Sequence, residues 1–157
     1  MISNATCIIY LSRLNQLELL RRLYKIVVIT PLVKDEVLIA DKPGYNQIND
    51  AIGKGLLIIE KPKNIKDFGL DAGENEAINL ALEKRAGIIL DDYAARVIAK
   101  SLGLETIRTT TLLFNALFKK IISKKQAISL LNQMIDSGYY IAPAEYAALL
   151  TKLMMQK

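Results

Sequence analysis

The chain has 157 residues, with 21 Lys and Arg against 16 Asp and Glu, a net charge of +5. It is 52% apolar, contains no His and no Trp, and has a single cysteine, Cys7. That length and apolar content suit one folded domain over residues 1–157. The absence of His excludes Ser-His-Asp triads and His-bearing zinc sites, and one cysteine excludes an internal disulfide. Chemistry is left to carboxylates, hydroxyls, amides and basic groups.

The N-terminal residues carry neither the basic stretch nor the small-residue cleavage site of a secretory leader. The longest apolar runs fall far short of the roughly 18 residues that span a membrane. The expectation is a soluble cytoplasmic protein with no membrane contact. The positive charge suits an anionic partner, nucleic acid first among them.

In chain order, residues 1–3 form a short strand that opens into a helix over 7–14. Leu17, Leu19, Leu20 and Leu23 repeat at helical spacing over 16–24. Residues 26–29 are a β-branched run, read as a buried strand. Thr30 and Pro31 then start a helix as cap and first residue, and Glu36 falls on it. A helix over 45–54 ends at Gly55, and 56–59 is the next strand. Asp71 and Glu74 have the spacing of a capping box ahead of a helix that runs through Arg85. A strand over 87–90 ends in Asp91 and Asp92, a helix covers 93–102, and 104–107 is a final weak strand. Helices over 109–120, 123–137 and 143–155 close the chain. The alternation predicts an α/β fold, with a mainly parallel sheet of four to five strands covered by helices, and a helical tail.

Ligands of such sheets bind beyond the carboxyl ends of the strands. Asn4 and Thr6 follow the first strand, Asp35 and Glu36 lie on the helix after the second, and Glu60 follows the third. Glu74 and Glu76 open the helix before the fourth strand, which ends in Asp91 and Asp92. Several carboxylates without His or Cys form a hard, oxygen-only donor set suited to Mg or Mn. Each acid also has a structural alternative: Glu74 and Glu76 suit a helix N-terminus, and Asp91 or Asp92 suits an N-cap.

Three blocks resemble the PIN-domain family of metal-dependent ribonucleases, most closely small prokaryotic members related to VapC-type toxins. The first is Ser3-Asn4-Ala5-Thr6-Cys7-Ile8-Ile9-Tyr10-Leu11, similar to the family's S-D-[AT]-[ST]-P-L-I-x-L opening. The second runs from Pro31 to Glu36. The third runs from Leu70 through Gly73, Glu74, Glu76 and Ala81 to Asp91, Asp92 and Arg96. The closing Gly138-Tyr139-Tyr140-Ile141-Ala142-Pro143 also looks like the subfamily's tail.

The resemblance implies a three-layer PIN-like fold and an endoribonuclease that uses Mg or Mn. Its acidic cluster maps onto Asn4, Glu36, Glu76 and Asp92, with Asp91 and Glu74 as neighbouring alternates. Glu36, Glu76 and Asp92 would hold the metal. Thr6, Arg96 and Arg108 would meet RNA. A small antitoxin protein and a homodimer are the partners implied.

Two departures stand out. Asn4 replaces the first acid and offers a cation only a neutral oxygen. Arg108-Thr109-Thr110-Thr111 stands where the family has G-T-x-G. The alternative function is therefore a degenerate PIN protein that binds RNA or a protein partner. A receiver-like or nucleotide-binding domain is a third reading. Against it, no GxGxxG or GxxxxGK[ST] segment is present, and the acidic pair follows the fourth strand rather than the first.

Overall fold

The computed structural model describes residues 1–155. It forms two compact units, Met1–Thr109 and a second from Thr110 onward.

The first unit holds all five strands: β1 (Ile2–Ser3), β2 (Val27–Ile29), β3 (Leu57–Ile59), β4 (Ile88–Ile89) and β5 (Thr106–Ile107). They lie in the order β3-β2-β1-β4-β5, and every pairing is parallel. Ile2 stands opposite both Val28 and Ile88, so β1 is the central strand. The three inner strands are buried throughout, while β3 becomes exposed toward its end and β5 is half-buried. This matches the continuous apolar runs of a sheet covered on both faces. Strand order reverses between β1 and β4, which makes the end of β1 the switch point where such sheets bind ligands.

Helix α1 (Ala5–Arg13) begins two residues earlier than the sequence pattern suggests. The Asn4 N–H donates to the Ile89 carbonyl at 3.1 Å, so the strand ends there and the helix starts at once. Helix α2 (Glu18–Tyr24) buries Leu19, Leu20 and Leu23. Helix α3 (Pro31–Val37) starts as expected: Thr30 Oγ1 accepts from the Val33 N–H, and Pro31 takes the first helical position. The second exposed amide of its first turn, Leu32 N–H, donates to Glu76 Oε2 at 3.0 Å. Helix α4 (Tyr45–Gly53) is entered through Gly44 at φ +95°. A Cβ there would lie 2.2 Å from Ser12 Oγ, so both the left-handed backbone and the contact with α1 demand glycine.

Helix α5 (Ala72–Lys84) and helix α6 (Tyr93–Ser101) complete this unit, and α3 packs against both α1 and α5. The capping box expected at Asp71 and Glu74 does not form. Asp71 occupies the N-cap position, but its side chain makes no cap hydrogen bond. Both carboxylates line a cavity instead.

The segment from Lys61 to Asp71 has no regular structure and is fastened along α5. Asn75 Oδ1 accepts from Phe68 N–H, and Asn75 Nδ2 donates to the Lys66 carbonyl. Asn79 Oδ1 accepts from Lys66 N–H, and its Nδ2 donates to the Lys66 and Asn75 carbonyls. Glu83 Oε2 accepts from Lys63 N–H at 2.8 Å. Positions 75, 79 and 83 recur every four residues, so they form one polar stripe along the helix.

The second unit contains α8 (Lys124–Asp136) and α9 (Pro143–Met155), and α7 (Thr109–Phe118) begins at the boundary. Here a capping box does form, between Ser123 and Gln126. Helices α8 and α9 pack together, and Tyr146 OH donates to Asn132 Oδ1 at 2.7 Å. The helical C-terminal end is as the sequence implied. No helix among the described residues is long and apolar enough to cross a membrane.

Candidate functional site

At the carboxyl end of β1 lies a cavity of about 70 Å³. It is lined by Asn4, Ala5, Thr6, Val33, Glu36, Asp71, Gly73 and Glu74. Five polar side chains from three segments meet there, Thr6 at the start of α1 among them. Asn4 leaves the central strand, Glu36 comes from the second turn of α3, and Asp71 and Glu74 come from the start of α5.

Asn4 is only 4% exposed, and its Oδ1 has no hydrogen-bond partner. Although it holds the N-cap position of α1, its side chain makes no cap bond. A buried carbonyl oxygen with nothing to accept loses its hydration without compensation, a cost of about 1–3 kcal/mol. Glu36 passes close over the first turn of α5: a Cβ on Gly73 would lie 3.3 Å from its Oε2. Burial, and then the charge of Asp71, raise its carboxyl above the ordinary range. Burial also raises Glu74, followed by the negative charges of Asp92, Asp71 and Glu36, to about 7. These acids repel one another across a half-buried space, and among the described residues no Lys or Arg lines the cavity.

The donor set consists only of oxygens: one neutral amide oxygen without a partner and three carboxylates. That composition fits a hard divalent cation. Among the described residues, no three acids converge tightly enough to hold one with the side chains as they stand.

Of the other sequence candidates, Thr6 alone lines this cavity, and Glu76, Asp91, Asp92, Arg96 and Arg108 do not. Glu76 is 3% exposed, and its carboxylate is turned toward the N-terminus of α3. Of the two acids at the start of α5, Glu74 lines the cavity and Glu76 anchors the helix that carries Glu36. Asp91 accepts from both the N–H and the Oγ1 of Thr109, and Arg108 Nε lies 3.9 Å from its Oδ1. It ties the end of β4 to Thr109, the last residue of the first unit. Asp91→Ala is expected to lower stability by about 2–3 kcal/mol, read by urea denaturation, because it strips a buried carboxylate from two donors.

Asp92 caps α6, its Oδ1 accepting from Ala95 N–H at 2.8 Å, and its charge reaches Glu74. Thr6 lines the cavity. Arg96 Nη1 donates to the Asp91 carbonyl, and its guanidinium lies 5.8 Å from the centroid of the Tyr93 ring. Tyr93 is 74% exposed, directly after Asp92. Cys7 is fully buried, and desolvation pushes its thiol well above the ordinary range. That fits a packing role in place of the family's proline. Asp71 was legible in the sequence only as a cap. The sole signal for more was its position three residues ahead of Glu74.

Three comparisons bear on this geometry. A family model described as PIN domain matches residues 1–154. A solved structure, a PilT N-terminus domain protein, SSO1118, from the hyperthermophilic archaeon Sulfolobus solfataricus P2, is similar at 25% identity and a TM-score of 0.53. The similarity covers 74% of this chain and 94% of that one. No curated protein matches. PIN domains form a nuclease-like superfamily whose members generally use divalent metals and bind RNA. The parallel sheet with its acidic cavity at the switch point, and a family model spanning nearly the whole length, agree: the chain belongs to the PIN-domain family.

Proposed function

We propose that this protein is a metal-dependent endoribonuclease acting at the cavity beyond β1, with Mg or Mn as its cation. The observation that carries the reading is the meeting of the partnerless Asn4 Oδ1 with the mutually repelling Glu36 and Glu74. Asn4, Glu36 and Glu74 would hold the metal, with Asp92 completing the negative field from the rim. A divalent cation in such a site supplies Lewis-acid activation of water and offsets charge on the phosphodiester in an in-line displacement.

The chain's own residues supply the rest. With no His present, the proton released by the attacking water passes to a carboxylate, and the leaving oxygen takes its proton from solvent. Tyr93 presents an open ring for a base to stack on, with the Arg96 guanidinium beside it to meet a phosphate. Thr6 offers its hydroxyl at the cavity wall.

The test is cleavage of a mixed RNA pool by the purified chain with Mn²⁺. Cleavage abolished by EDTA and reduced at least about hundredfold in Glu74→Gln is the expected result. An inert native chain whose activity appears in Asn4→Asp would instead identify a switched-off nuclease that serves as a binding protein.

A further inference from the structure

The cavity contains one acid that neither the family motif nor the cap role accounts for. Asp71 sits at the N-cap of α5, where a carboxylate ordinarily turns back to accept from the helix's first amides. Here it makes no such bond and lines the cavity together with Glu36 and Glu74. Across the same cavity is Asn4, 4% exposed, with its Oδ1 unpartnered. A neutral residue stands where the resemblance leads one to expect charge. A charged residue has given up its usual partner to face it.

We infer that Asp71 is a cation ligand of this chain, and that its carboxylate supplies the negative charge missing at position 4. This rests on the metal-site reading above and assigns the site's composition. The cation would be shared by Asn4, Glu36, Asp71 and Glu74, one neutral oxygen and three carboxylates. Loss of charge at the end of β1 is thereby balanced from the start of α5. The net charge offered to the metal equals that of a site with Asp at position 4 and no acid at position 71. The segment before Asp71 is pinned along α5 by Asn75 and Asn79, which fixes the backbone that carries it.

The test is binding of MnCl2 by isothermal titration calorimetry to the full chain, with no RNA present. The variants are Asp71→Asn, Asn4→Asp and the double variant Asn4→Asp/Asp71→Asn. Asn caps a helix as well as Asp does, and Asp71 makes no cap bond to lose, so Asp71→Asn is expected to fold normally.

Asp71→Asn should weaken Mn²⁺ binding by about tenfold or more, the effect of one charge removed beside a divalent ion in a partly solvated site. The double variant should return to within about threefold of the native affinity, since the charge is restored across the cavity. Native-like affinity in Asp71→Asn would overturn the assignment of Asp71 while leaving the metal site standing. Weakened binding not recovered in the double variant would overturn the exchange of charge between positions 4 and 71. Absence of saturable Mn²⁺ binding in the native chain would remove the metal-site reading itself, and this inference with it.

Discussion

Glu74→Gln is expected to raise the thermal stability of the metal-free protein at pH 8, and Glu76→Ala to lower it, although the two acids are two residues apart on one helix. Glu74 is raised from its ordinary 4.5 to about 7 by burial and by neighbouring carboxylates. A raised folded-state pKa means that the folded chain binds the proton more tightly than the unfolded one. The stabilising contribution is therefore fully present below about pH 4.5 and is lost as pH rises through about 7. At pH 8 the native chain carries an ionised Glu74 that the fold disfavours, and the amide removes that charge. Because the side chain is about half open to water, screening reduces the effect to about 1 kcal/mol, or roughly 2–4 °C in melting temperature. At pH 4.5 the same variant should melt within about 1 °C of the native chain, since both side chains are then neutral.

Glu76→Ala has the opposite sign for a different reason. It removes a buried acceptor from Leu32 N–H and leaves space where the side chain packed. The loss should be about 2–3 kcal/mol, with a melting temperature lower by roughly 4–10 °C at either pH. Differential scanning calorimetry in EDTA at the two pH values reads both predictions. A drop for Glu74→Gln equal to that of Glu76→Ala would mean that Glu74, too, is a structural anchor.

The second large effect concerns the loop that leads into the site. Asn79→Ala removes one acceptor and one shared donor that together hold Lys66 at both its N–H and its carbonyl. Lys66 N–H is left without its acceptor, and the Lys66 carbonyl keeps only its bond from Asn75 Nδ2. The expected loss is about 2–4 kcal/mol, felt mainly as local opening of residues 61–71. Trypsin should then cut after Lys63 and Lys66 at least about tenfold faster than in the native chain, since about 1.4 kcal/mol of local opening is a tenfold change in the open population. Lys61 precedes Pro62 and should remain intact in both. Mass spectrometry of the early fragments distinguishes this from global unfolding, which would expose sites throughout the chain.

The fold was largely written in local pattern. Within the segments 26–29 and 87–90, Val27-Val28-Ile29 and Ile88-Ile89 are unbroken β-branched runs, and a sheet covered on both faces buries them. Thr30-Pro31 and Ser123…Gln126 are start signals whose chemistry acts within one turn, so the helices begin where those residues stand. The acidic character of one sheet edge was legible as well, because strand ends in parallel sheets point the same way. Membership in the PIN-domain family followed from motifs spread along the chain, and the family model and the sheet agree with it.

What local pattern could not decide was which carboxylate faces which partner. Asp71 and Glu74 have capping-box spacing, yet neither closes the box, because three-dimensional neighbours give both another environment. Glu74 and Glu76 are indistinguishable as first-turn acids. A helix rotates about 100° per residue, so two positions separate them by roughly 200°. That rotation sends Glu74 to the cavity and Glu76 to the amide of Leu32, 44 residues away in sequence. The stripe of Asn75, Asn79 and Glu83 has a periodicity that the sequence displays, but its partners lie in a loop without regular pattern. Sequence alone determined the elements, the parallel sheet and the family, because those rest on periodicity and on contacts within a turn. Only the tertiary structure decided the membership of the site, because a carboxylate's role is set by the charges and donors that folding brings around it.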